Sequence, residues 1–241
     1  MCGRYLLREK PDWATHSQWK DYWADIQPFT ARFNIAPSQR ATVVYWDAQS
    51  PRVASMQWGF RPSWSKASFS KINARSETVF ESKMFATSAH TKRCLIPADG
   101  FYEPKGSATQ RNRPWHLFEH HDKAAFMMAG LWTTFEEPSV EDEPFENSQS
   151  GSLSFCILTT AANQLVSPIH HRMPIIVPQA FWEQWLSDSS KDSMLPLLSS
   201  REYSGMHHFR VAETVKNVSQ DIADCAEPVD ELQPGDNLSL F

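Results

Sequence analysis

Apolar residues in this chain gather into short runs bounded by turn formers, at 42–46, 53–58, 94–98, 115–118, 125–132 and 153–160. Runs of that length, rich in β-branched and aromatic side chains, are strand signals. Helical periodicity is scarce by comparison. Trp13, His16, Trp19, Trp23 and Ile26 recur at three- and four-residue steps and predict a helix whose stripe packs on the core. Two more short helices are expected near 77–85 and 179–186. Strands that follow one another without helices between them argue against a βαβ array, because parallel crossovers need a helix to return the chain. The expected architecture is therefore α+β: a single domain with a curved, mainly antiparallel, barrel-like sheet core and peripheral helices.

A chain of 241 residues with 41% hydrophobic content can bury a sizeable core. No apolar run approaches the roughly 20 residues that span a bilayer, and the N-terminus lacks a basic-then-apolar leader pattern. The expectation is a soluble, cytoplasmic monomer with no membrane association, nucleoid-associated if bacterial. Cys2, Cys94, Cys156 and Cys225 are scattered, with no C-x-x-C pair, which argues against a zinc ribbon and a disulfide framework. No metal and no cofactor are expected. Acid is concentrated in two places. Six carboxylates within 136–146 predict an acidic loop over about 136–151, and six more in 221–236 predict a weakly ordered tail at 226–241 after a domain spanning 1–225. Base is concentrated elsewhere: 61–93 holds Arg61, Lys66, Lys71, Arg75, Lys83, Lys92 and Arg93 against Glu77 and Glu81, a local balance of +5 although the whole chain carries −5. One basic face on an acidic protein suits a phosphate backbone.

The most distinctive chemistry is at the start, Met1-Cys2-Gly3-Arg4. Removal of Met1 would leave an α-amine and a β-thiol on one residue. Such an aminothiol can condense with an aldehyde and close a thiazolidine ring, or the amine can serve as base for its own thiol as in N-terminal-nucleophile hydrolases. Three internal segments join it. Asn73 and Arg75 project to one side if their segment is extended, Asp99-Gly100-Phe101-Tyr102-Glu103 leads an apolar strand to a carboxylate, and His170-His171 precede another apolar run. Taken singly, each has a structural explanation: a salt-bridged arginine, a solvated glutamate, a surface histidine pair.

Taken together, Met1 to Tyr5, Phe33-Asn34-Ile35-Ala36-Pro37, Trp58-Gly59-Phe60, Ile72 to Thr78, Cys94 to Glu103, Leu158 to Asn163 and Ile169-His170-His171-Arg172-Met173-Pro174 resemble the SOS-response-associated peptidase (SRAP) family, in the family's order and over almost the whole chain. The resemblance implies covalent capture of abasic sites in single-stranded DNA through Cys2, shielding them at replication forks, with replication-fork proteins as further partners. It implies that Asn73 and Arg75 hold the sugar-phosphate. Glu103, near the α-amine, and His170, near the deoxyribose oxygen, would manage protons. Gly3, Arg4, Asn34, Lys83 and Thr159 would line the DNA path, and Pro37, Trp64 and Met84 would splay the strand and stack on bases. Strand cleavage of the abasic site and autoproteolytic removal of Met1 are further activities it suggests. The chain departs from the family pattern at Pro104, where a Trp is common and Tyr102 is a candidate substitute for stacking, and at Lys83, where an Arg is common.

Two other classes compete. Glutamine-dependent amidotransferases also begin Met-Cys-Gly but are expected to use an Asn-Gly segment, and this chain contains no such dipeptide. A cysteine peptidase pairing Cys2 with His170 and a non-catalytic reader of modified or single-stranded DNA remain as alternatives. An aldehyde-bearing oligonucleotide separates them, because only capture gives a heat-stable shift.

Overall fold

The computed structural model describes residues 2–11, 29–47, 50–66, 69–107, 109–110, 112–135, 152–187 and 190–230. The tryptophan stripe of 13–26, the acidic loop of 136–151 and the end of the tail from 231 lie outside them. The strands, in chain order, are β1 (Arg4–Leu7), β2 (Arg32–Ile35), β3 (Arg40–Asp47), β4 (Ser50–Trp58), β5 (Asn73–Arg75), β6 (Arg93–Ala98), β7 (Gly100–Pro104), β8 (Trp115–His120), β9 (Phe126–Phe135), β10 (Ser152–Ala161), β11 (Arg172–Pro174), β12 (Ile176–Val177) and β13 (Met206–Val211).

Five of these strands close on themselves. β10 pairs with β4, β4 with β3, β3 with β6, β6 with β9 and β9 with β10 again; only the β4–β10 contact is parallel. A second, wholly antiparallel sheet, ordered β13-β8-β7-β1-β2, packs beside this barrel. The expected fold class is thus the observed one. β6 shows why the sequence demands burial on both faces: Cys94, Ile96 and Ala98 pack toward Tyr5, Phe101 and Phe118 of the second sheet, while Leu95 joins a cluster with Trp182, Trp185 and Leu158. That second cluster is capped by helix α2, below.

Among the described residues the helices are short: α1 (Ala86–Thr91), α2 (Trp182–Ser187) and α3 (Lys191–Met194). The helix expected near 179–186 is present, as a 3-10 turn at Gln179–Phe181 running into α2. The one expected near 77–85 is displaced: a 3-10 turn covers Ser76–Thr78, and helix begins only at Ala86. Ser82 is the reason. Its hydroxyl accepts from the backbone N–H of Met84 at 3.4 Å, and such local side-chain bonds compete with helix propagation; the regular i+4 bond to its carbonyl comes only from Ala86, where the helix starts.

β9 and β10 stay paired as far as Gly130 and Ile157 and then diverge, and residues 172–177 fill the wedge. The Ile175 N–H donates to the Leu158 carbonyl at 3.0 Å and its carbonyl accepts from Ala129 at 2.8 Å. At the point of divergence a Cβ on Gly130 would lie 2.3 Å from Ile96 Cδ1, 2.7 Å from the Cys156 carbonyl and 2.9 Å from Cys94 Sγ. The isoleucine can move, but a strand carbonyl cannot without breaking the ladder. Gly130→Ala is expected to lower stability by about 3 kcal/mol, at the upper end for overpacking, measured as the shift in urea midpoint; an unchanged midpoint would show that the barrel yields there.

Candidate functional site

Strand pairing assembles the site from four distant segments. β1 runs antiparallel to β7 with Arg4 opposite Tyr102, which brings the Cys2 end of the chain beside Glu103. β5 lies parallel to β10 with Asn73 opposite Ile157, and the Asn73 side-chain amide donates to the Cys2 carbonyl at 2.8 Å. After β10 the chain turns through 162–171. Asn163 stiffens this turn: its Oδ1 accepts from Val166 N–H at 3.0 Å and its Nδ2 donates to the Arg201 carbonyl at 2.9 Å. The turn delivers His170, whose Nδ1 lies 3.8 Å from Glu103 Oε2. Cys2, Asn73, Glu103 and His170 therefore meet in one place.

Burial sets the electrostatics. Glu103 is 0% exposed, and burial pushes its carboxyl above the ordinary range to about 7. Burial likewise lowers His170 to about 4. Both shifts run against what an ion pair would produce, so desolvation outweighs their mutual attraction and His170 is neutral at pH 7. The Cys2 thiol is raised well above the ordinary thiol range, first by burial and then by the Glu103 charge, so it too is neutral. The Arg172 peptide offers His170 Nδ1 a partner in either tautomer, an N–H at 3.1 Å and a carbonyl oxygen at 3.0 Å. A proton can thus move onto or off Nδ1 without stranding that nitrogen.

The other expected site residues are placed unequally. Gly3 and Arg4 are half-buried next to Cys2, with the Arg4 guanidinium donating to the Gly3 carbonyl at 2.7 Å. Arg75 and Lys83 are exposed, Pro37 and Met84 are half-buried, and Trp64 is 69% exposed beside Lys66 and Phe69. Asn34 and Thr159 are not surface residues. The Asn34 amide is fully buried and donates to the carbonyls of Val215, Asn217 and Gln220 at 3.2, 3.1 and 2.8 Å, while Thr159 lies under the Arg172 guanidinium. We assign both structural roles, since the Asn34 amide nitrogen and the Thr159 hydroxyl make their hydrogen bonds inside the protein. Tyr102 cannot substitute for a stacking Trp, because it is fully buried and its hydroxyl donates to the Phe33 carbonyl at 2.8 Å. Nor is the basic stretch of 61–93 one uniform face: Arg93 is buried and donates to the carbonyls of Trp185, Ala89 and His90. The exposed cations that remain in described positions there include Lys66, Lys71, Arg75 and Lys83. Asn34→Ala is expected to cost about 2 kcal/mol by orphaning carbonyls and to leave DNA affinity within about twofold. Weaker DNA binding at unchanged stability would restore Asn34 to the DNA path.

All four cysteines are free and buried, and among the described residues no group of three or more His, Cys, Asp and Glu side chains could hold a metal ion. Among the described residues no helix is long and apolar enough to cross a membrane.

The sequence matches the model of the SOS response associated peptidase (SRAP) family over residues 1–218, most of the chain. The chain belongs to the SRAP family. Its similarity extends to "Abasic site processing protein YoaM" of Bacillus subtilis, 30% identical with 93% of this chain and 98% of that protein covered. "Abasic site processing protein YedK" of Escherichia coli is 24% identical over 95% and 100%, and "Abasic site processing protein HMCES" of Pongo abelii 26% over 95% and 77%. A crystal structure of a protein from Bacteroides thetaiotaomicron superposes with a TM-score of 0.75 at 23% identity, covering 95% of this chain and all of that one, and shares the fold.

Three residues around the site have contacts that the sequence does not signal. Arg172 and Glu77 stood inside recognised motifs, yet 95 positions of separation hid their pairing. Arg113, whose charge acts on both Glu103 and His170, belongs to no motif.

Proposed function

We propose that this SRAP protein processes abasic sites in single-stranded DNA by covalent capture, with Cys2 as the reagent once Met1 has been removed. The observation that carries the reading is the convergence of Cys2, held through its carbonyl by Asn73, with the buried Glu103–His170 pair. The names of the relatives point to the same substrate.

The chemistry balances without a cofactor. The Cys2 α-amine adds to the open-chain aldehyde of the abasic sugar, the resulting carbinolamine loses one water to give an imine, and the thiol sulfur adds to the imine carbon. The net change is one new C–N bond, one new C–S bond and one released water, with the thiol proton passing to the ring nitrogen. An α-amine titrates at about 8, so a fair fraction is nucleophilic at neutral pH. A carboxyl near 7 is available both as acid and as base, which suits Glu103 to protonate the departing hydroxyl and to accept a proton from the amine. Neutral His170 is the second proton carrier, for opening the closed sugar. A neutral, buried thiol is a poor first nucleophile, which favours the amine-first order and disfavours a cysteine peptidase built on Cys2. The test is to incubate the protein with an abasic and an intact oligonucleotide and compare products after heating in detergent: a stable shift with the abasic strand alone is expected, and its absence would overturn the reading.

Binding to undamaged strands rests on backbone contacts. If Lys71, Arg75 and Lys83 engage phosphates, raising salt from about 50 to 200 mM weakens affinity on the order of tenfold, by counterion release. Affinity that ignores salt would remove these residues from the DNA path.

A further inference from the structure

We propose that the Arg172–Glu77 pair is a positioning clamp that fixes the His170 imidazole relative to Glu103 and to the strand carrying Asn73 and Arg75. Arg172 opens β11, two residues after His170. Its guanidinium meets the Glu77 carboxylate in bidentate fashion, Nη1 to Oε1 at 2.5 Å and Nη2 to Oε2 at 2.9 Å. Nη2 also donates to the Thr159 carbonyl at 2.6 Å, on β10. Glu77 sits in the 3-10 turn that directly follows β5. One side chain thereby ties together the His170 turn, the central strand and the Asn73–Arg75 strand. The planar guanidinium fork fixes orientation as well as distance, which a lysine would not.

The clamp reaches the imidazole through a single Cα. The Arg172 backbone places an N–H and a carbonyl oxygen within hydrogen-bonding distance of His170 Nδ1, so a displaced Arg172 backbone carries the ring with it. Arg172 touches no reacting atom in this scheme and acts only through His170. Its effect on rate rests on the proposed abasic-site reading, whereas its effect on the imidazole does not.

The two dependences can be tested apart. His170 is titrated by NMR in DNA-free wild type, Glu77→Ala and Glu77→Gln. Glu77 is half-exposed, so both variants should fold, and Gln retains one hydrogen bond to the guanidinium. The charged and titratable groups facing His170 are Glu103 from β7, the N-terminal amine, His171 beside it, Arg113 ahead of β8 and Arg172 after it, and none is altered. Loss of the Glu77 charge, which leaves the Arg172 cation unopposed, would by itself push the His170 titration down. Loosening of the ring toward solvent pushes it up. An upward move in Glu77→Ala with a small downward move in Glu77→Gln, which loses the charge but keeps the ring in place, is therefore the expected signature. With abasic oligonucleotide, Glu77→Ala should lower the saturating capture rate by about tenfold or more, as small misplacements do, while affinity for undamaged strand stays within about twofold and Gln restores most of the rate. A His170 titration that stays put or falls in Glu77→Ala overturns the clamp, as does an unchanged saturating rate. Tighter DNA binding at unchanged rate would instead make Arg172 a phosphate ligand masked by Glu77, also overturning it. Failure of wild type to capture abasic DNA would overturn the functional reading alone, and the titration would still decide the clamp.

Discussion

Cys2→Ala is expected to lose heat-stable capture of abasic DNA while still forming an adduct that borohydride traps. Alanine at this position still permits removal of Met1 and still presents an α-amine, so the imine can form. Without sulfur the ring cannot close, and a Schiff base hydrolyses on heating. The free imine can also promote β-elimination, so strand cleavage should rise as stable crosslink falls. Inserting one residue between Met1 and Cys2 separates the two functions the other way: the thiol remains in the chain but no longer shares a residue with the amine. That variant should also lack stable capture. The measurement is denaturing electrophoresis with and without borohydride. Stable crosslink at wild-type level from either variant would refute ring closure on Cys2 and reopen the thiol-first alternatives.

Glu103→Gln carries two large expected effects that come from one cause, the burial of its carboxyl. On rate, a general acid–base group contributes about 10²–10⁴-fold, and an amide of the same shape can neither give nor take the proton. On stability the effect depends on pH. The folded pKa of Glu103 is raised to about 7, so its contribution is fully present below the ordinary carboxylate range and lost as pH rises through 7. Ionisation inside the fold then costs about 3 kcal/mol, since a tenfold change in proton affinity is worth roughly 1.4 kcal/mol. Glutamine never ionises and escapes that loss. His170 and His116 are both lowered to about 4, which makes stability fall as pH drops from about 6.5 toward 4, but both proteins share that trend. The Tm of Glu103→Gln relative to wild type should therefore climb between pH 5 and pH 8. A pH-independent difference, or a variant that captures at the wild-type rate, would remove Glu103 from the proton chemistry.

How far the sequence discloses this molecule depends on whether a segment's order is its own or borrowed. β3, β4, β6, β8, β9 and β10 are legible because each is a long enough apolar run to announce a strand by itself. β5, β11 and β12 are two or three residues long and exist as strands only because β9 and β10 offer them unpaired edges. β13 was hidden by its His207-His208 polarity, although across the sheet His207 stacks on His121 at 4.1 Å and His208 faces His116 at 3.2 Å. The site divides the same way. Cys2, Asn73, Glu103 and His170 stand in motifs, and strand pairing then brings them together. Asn34, Thr159 and Tyr102 were misplaced because a buried amide, hydroxyl or phenol has the same letter as an exposed one, and only the carbonyls around Asn34 and Tyr102 reveal where their hydrogen bonds go. Arg93 illustrates the limit of charge counting: it contributes to the local balance of 61–93 yet is spent inside the fold.

The most direct test of the central claim is the intact mass of the product formed with a single-abasic oligonucleotide, taken before and after borohydride and after alkylation of free thiols. Capture through both groups of Cys2 gives the mass of the chain lacking Met1 plus the oligonucleotide minus one water, unchanged by borohydride and with Cys2 protected from the alkylating agent in the unfolded adduct. A product that retains Met1, gains hydrogen on reduction, or leaves Cys2 open to alkylation would contradict it.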